Sequence, residues 1–70
     1  MSLSIEILII GNEILGGRTI DCNSHYLVEE LGKAGFRVKF ISVAGDDLED
    51  LARMFHTAFG RAEIILATGG

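Results

Sequence analysis

Ile5-Glu6-Ile7-Leu8-Ile9-Ile10 is a nearly unbroken run of β-branched and aliphatic residues, closed by Gly11. A strand with one wet face alternates apolar and polar residues. A strand covered on both faces reads as a continuous apolar run, and such strands belong to parallel sheets packed between helices. This segment therefore argues for an α/β fold.

The rest of the chain supplies the other parts. Gly11 to Ile20 contains three glycines and several polar residues and reads as a loop. Asp21 or Asn23 can cap a helix on which Leu27, Leu31 and Ala34 share a face, and Gly35 gives it a left-handed stop. Phe36-Arg37-Val38-Lys39-Phe40 alternates and then stays extended through Ala44, the pattern of a half-exposed strand nearer the sheet edge. Gly45-Asp46-Asp47 turns the chain. Either aspartate can cap a second helix, and Asp47 with Asp50 forms a short-armed relative of the capping box. Leu48, Leu51, Phe55 and Phe59 line one face of that helix, with Met54 also assigned to the core, and Gly60 ends it. Glu63 to Ala67 reads as a third strand, and Thr68-Gly69-Gly70 as the start of a loop.

Strand, helix, strand, helix, strand calls for a parallel sheet with right-handed crossovers. The spatial order 1-2-3 would put both helices on one face and leave the other bare. The order 2-1-3 puts them on opposite faces with the most apolar strand in the centre, and is the order expected here. It also makes the winding reverse between strands one and three. Ligands of open α/β sheets bind outside the carboxyl ends of the strands at such a reversal. The loops flanking it are Gly11-Asn12-Glu13 and Thr68-Gly69-Gly70.

Composition narrows the function classes. Seventy residues allow one domain, and 49% apolar residues exclude a disordered tail. The single cysteine, Cys22, cannot close a disulfide within the chain, which favours a reducing, cytoplasmic setting. Ten acids against six bases give a net charge of −4, which disfavours a nucleic-acid binder. No apolar run approaches the roughly 18–20 residues of a membrane span, and the opening lacks the pattern of a signal peptide.

Each candidate residue has a structural explanation beside the functional one. Thr68-Gly69-Gly70 after a buried strand lets backbone amides approach an anion, because glycine has no Cβ in the way, yet a plain turn accounts for it too. Glu13 can coordinate a divalent metal or accept hydrogen bonds from a ligand hydroxyl, or simply be a solvated loop acid. Asp21 and Asn23 serve as helix caps. Asp46 and Asp47 serve as a cap or as an acid pair holding a metal. His25, His56 and Cys22 lack the spacing of zinc ligands, and neither a dinucleotide-binding glycine fingerprint nor a Walker loop follows strand one. Arg18 is the one base of the first loop, free to meet a phosphate or water.

Taken together, four segments resemble a known family. Ile10-Gly11-Asn12-Glu13-Ile14-Leu15, Gly17-Arg18-Thr19-Ile20-Asp21-Cys22-Asn23-Ser24, Val43-Ala44-Gly45-Asp46-Asp47 and Ala67-Thr68-Gly69-Gly70 resemble, in order and in register, the CinA N-terminal domain. That domain sits within the molybdopterin-binding family of Mog, MoaB, MoeA and gephyrin-like proteins. The resemblance implies a three-layer α/β/α fold with a mostly parallel sheet. It implies one of two activities for the parent: metal-dependent hydrolysis of an ADP-ribose-type nucleotide, as in CinA-like proteins, or binding and adenylylation of molybdopterin, as in molybdenum cofactor biosynthesis. A non-catalytic ligand-binding module is the further alternative. By the same resemblance Gly11, Asn12 and Glu13 contact ligand or metal. Asp21 and Asn23 shape the loop beside it, and Thr68, Gly69 and Gly70 cradle phosphate. Glu13, Asp46 and Asp47 are the expected ligands of a divalent metal, magnesium. The expected partners are a nucleotide or pterin and further copies of the chain, with no nucleic acid and no membrane.

In the family Thr-Gly-Gly is followed by more glycine, a proline-threonine pair and an aspartate pair. Residues 1–70 are therefore expected to form the N-terminal half of one such domain, with 1–3 reading as an expression scar. The catalytic residues are expected beyond Gly70, and these seventy residues alone are expected to be inactive.

Overall fold

The computed structural model describes residues 3–17 and 23–69, Asn23 by its backbone only. Its elements are β1 (Ser4–Ile10), α1 (Asn12–Leu15), α2 (Asn23–Lys33), β2 (Arg37–Ala44), α3 (Leu48–Phe59) and β3 (Ile64–Gly69). The sheet is parallel with the order β2-β1-β3, as the aliphatic run demanded. With right-handed crossovers this order carries α2 and α3 on opposite faces of the sheet.

β1 is central, and Ile5 to Ile9 are buried on both faces. Paired residues of neighbouring strands share a face, so Leu8 and Ile10 lie beside Ser42 and Ala44. α3 sets Met54 and Ala58 on Leu8 and Ala44, with Ile10, Leu51, Phe55 and Ile65 around them. The expected apolar face of α3 is thus rotated. Leu48 is 81% and Phe59 71% exposed, while Met54 and Ala58 are buried. At 3.6 residues per turn the first and last residues of this helix lie roughly a quarter turn from the centre of the buried stripe. On α2, Leu27 and Leu31 are half-buried as expected, but Ala34 follows the helix and is exposed.

Two loop boundaries also move. Asn12 to Leu15 forms one helical turn, closed by the Gly16 amide donating to Asn12 O at 2.9 Å, where a loop was expected. Gly17 then takes φ 74°, a backbone region in which glycine alone has no steric penalty. β3 runs on through Thr68 and Gly69, because β1 still offers Ile9 and Ile10 as partners there. Pairing overrides the weak strand preference of glycine. Gly35, at φ 92°, ends α2 in the expected left-handed conformation.

Asp47 caps α3: its Oδ1 accepts from the amides of Glu49 at 2.9 Å and Asp50 at 3.1 Å. The reach-back half of the capping box does not form, since Asp50 pairs with Arg53 at 2.6 Å. Asp47→Ala is expected to lower stability by about 1 kcal/mol, read from the shift in the urea midpoint.

One charge lies inside. Glu6 is 0% exposed, on the face of β1 that α3 covers. Arg61, just past α3, donates from Nε to Oε1 and from Nη2 to Oε2, both at 2.9 Å, and Ser42 Oγ donates to Oε2 at 2.6 Å. The guanidinium also stacks on the Phe40 ring at 3.8 Å. A register shift between Ile5 and Glu6 sets Phe40, not Lys39, opposite Glu6. This network ties the turn before β3 to both other strands.

Candidate functional site

The site is built at the carboxyl ends of β1, β2 and β3. Gly11 extends β1 by donating its amide to Ala44 O at 2.9 Å, and Ile10 pairs with Gly69. The chain segments leaving β1 and β3 therefore start side by side, as the strand order requires. α1 turns Asn12 back over the end of β2. Asn12 Nδ2 donates to Asp46 Oδ1 at 2.7 Å, and the Asp46 amide donates to Asn12 Oδ1 at 3.2 Å. This reciprocal pair joins the first loop to the turn before α3.

Two glycines make room for it. A Cβ on Gly45 would overlap Asn12 Oδ1, and one on Gly11 would lie 2.7 Å from Glu13 Oε1. Both glycines are buried; at Gly45 the atom in the way belongs to Asn12, which is held on Asp46, whereas at Gly11 it is the free end of the Glu13 side chain, which can swing aside. Gly69 differs. It is exposed, its φ is not positive, and a Cβ there would meet only Ile10 O at 4.0 Å. Neither conformation nor crowding demands glycine at this position.

The expected residues are gathered in part. Gly11, Asn12, Glu13, Thr68 and Gly69 share one end of the sheet, with Asp46 held on Asn12. Glu13 lies against Gly11 and makes no hydrogen bond to the other described residues. Asp21, the Asn23 side chain and Gly70 lie outside the described residues, as do Arg18 and Cys22. The acids assigned to a metal are otherwise engaged: Asp47 turns its carboxylate to the amides of α3, and Asp46 turns its own to Asn12. Among the described residues no three Asp, Glu, His or Cys side chains converge as a metal would need.

The Asn12–Asp46 pair carried no signal in the sequence, since its partners lie on different elements and either is explained locally. The model of the "probable molybdopterin binding domain" family matches residues 6–70, which takes in every element of this sheet except the first residues of β1. The chain belongs to this family. Among the relatives of this molybdopterin-binding-domain chain, a probable FAD synthase of Caenorhabditis elegans is 44% identical over 64 residues, covering 91% of this chain and 12% of the relative. A putative competence-damage inducible protein of Clostridium acetobutylicum is 40% identical over 68 residues, 97% of this chain and 16% of that protein. The crystal structure of the protein CinA from Thermoplasma acidophilum superposes with a TM-score of 0.87 at 27% identity, over 94% of this chain and 39% of that one. The family assignment and the 2-1-3 α/β architecture expected from sequence both stand. The chain spans well under half the length of each of these proteins.

Proposed function

We propose that this chain is the phosphate-binding half of a domain acting on a nucleotide that carries a pyrophosphate, of the ADP-ribose type. The observation that carries the reading is Gly69: an exposed glycine, free of conformational and packing demands, beside Ile10 where the winding reverses. In this reading the backbone of Thr68, Gly69 and Gly70 and the Thr68 hydroxyl hold phosphate oxygens. Gly11, Asn12 and Glu13 border the ligand from the opposite loop, with Glu13 accepting from a ligand hydroxyl. Asp21 and Asn23 shape the rim. The bond-breaking groups are assigned to sequence beyond Gly70. The likeness to a protein named a probable FAD synthase favours the same ligand class, since FAD is a dinucleotide joined through pyrophosphate.

A second reading follows from the family's description, in which the same loops hold the phosphate of molybdopterin without hydrolysing a nucleotide. Both readings carry a cytoplasmic setting and self-association of the parent. Calorimetric titration of the chain with ADP-ribose, FAD and molybdopterin separates them. Saturable heat with the two nucleotides is the expected result. Heat with molybdopterin alone selects the second reading, and heat with none of the three overturns both.

A further inference from the structure

The opposite end of the sheet carries a second charged feature. Lys33, Arg53 and Arg61 are each paired with an acid, Glu30, Asp50 and Glu6 respectively. Arg37 and Lys39 are not: both are exposed, and neither has a hydrogen-bond or ion-pair partner among the described residues. Both stand on an edge strand and line the same hollow. Lys39 is also the extra residue of the register shift, since Ile5 pairs with Val38 and Glu6 with Phe40. Bulges of this kind re-aim a side chain and recur beside binding sites.

Both cations line a hollow of about 170 Å³ at the amino ends of the strands, together with Leu3, Ser4 and Glu63. Glu63 Oε1 is fixed by the Ser4 amide at 3.2 Å and by Ser4 Oγ at 3.4 Å. Two cations against one carboxylate leave the hollow positive, on a chain whose net charge is −4. Its volume is below the roughly 300–1,000 Å³ of sites that enclose a whole small molecule. It suits a single anionic group. An arginine fork beside a lysine ammonium matches the tetrahedral oxygens of phosphate, the first in bidentate fashion and the second as a point charge.

We propose that the hollow between Ser4, Arg37, Lys39 and Glu63 is a second binding site, for the phosphate group of a small phosphorylated molecule. It lies at the other end of the strands from the Gly11–Gly69 loops and does not depend on what those loops bind. Guarding an open edge strand against aggregation is the competing role for such cations, and it predicts no saturable binding.

Inorganic phosphate, titrated into the isotope-labelled chain at ionic strength matched with sodium chloride, is the probe. Saturable amide shifts are expected at Ser4, Arg37, Lys39 and Glu63. The double variant Arg37→Gln, Lys39→Gln is expected to weaken them about tenfold, the combined worth of two partly solvated charge contacts. Arg53→Gln, which removes a cation elsewhere on the surface, is expected to leave them unchanged. Absence of saturable shifts at those four residues overturns the proposal, as does equal affinity in the double variant. Shifts confined to Gly11, Asn12, Thr68 and Gly69 also overturn it while leaving the reading of the loops intact.

Discussion

Arg61→Met is expected to destabilise this chain more than Glu6→Leu does, although the two substitutions break the same pair. Removing Arg61 strands a carboxylate that is 0% exposed, with Ser42 as its one remaining partner. Breaking the pair from this side is costly because the remaining charge stays poorly solvated, though less so than in a pair buried at both ends. Removing Glu6 instead leaves an arginine whose side chain is already 37% exposed and can turn to water. Leucine then fills the site with apolar volume, a replacement that is often close to neutral. Urea midpoints of the two variants decide the matter, and a lower midpoint for Glu6→Leu would refute the asymmetry.

The pH dependence separates them further. Hydrogen bonds from Arg61, and after them from Ser42, hold the Glu6 carboxyl below its ordinary value of 4.5, against burial, which raises it. A carboxyl with a lowered folded value stabilises the fold above its unfolded value, and that stability is lost as pH falls through the folded value. The unsubstituted chain should therefore weaken on acidification below about pH 4.5. In Arg61→Met burial acts with less opposition and the folded value rises. The sign inverts, and acidification should restore stability to that variant.

Gly45→Ala is expected to damage the candidate site more than any single change among the acids around it. The added Cβ overlaps Asn12 Oδ1 and comes to 3.5 Å of Leu15 Cδ1, so Asn12 cannot keep its place on Asp46. Gly45 is buried between α1 and the end of β2 and has little room to shift. Overpacking of this kind costs about 1–3 kcal/mol. Because the clash falls on the pair that joins two loops, ligand affinity should fall together with stability. Asn12→Ala provides the comparison, as it loses the two hydrogen bonds without adding volume. If Gly45→Ala bound ADP-ribose as the unsubstituted chain does, the Asn12–Asp46 pair would have no part in the site.

The aliphatic run of β1 made the architecture legible. A strand buried on both faces needs helices on both, and with two crossovers that leaves one strand order. Local chemistry was equally readable in Gly35 and in Asp47, each of which acts through its own backbone or the next three residues. What could not be read was long-range. Glu6 inside an aliphatic run signals that a buried acid needs a partner, yet nothing local points to Arg61 or Ser42. Likewise Asp46 and Asp47 look alike in sequence, and only the placement of α1 gives one to Asn12 and the other to the helix amides. Adjacent acids on one turn thus take different partners.

The order in which the strands sit has a consequence for how the chain is made. β1 is synthesised before both of its partners, and Ile5 pairs with Val38, which follows α2 in the chain, and with Ile64, which follows α3. Its most water-averse segment thus waits, unpaired on both edges, for neighbours that are synthesised later. Pairings between residues far apart in sequence form slowly and leave such segments open to aggregation meanwhile. A nascent chain halted before β3 should be held by a chaperone that recognises extended aliphatic segments, and released when β3 closes the second edge.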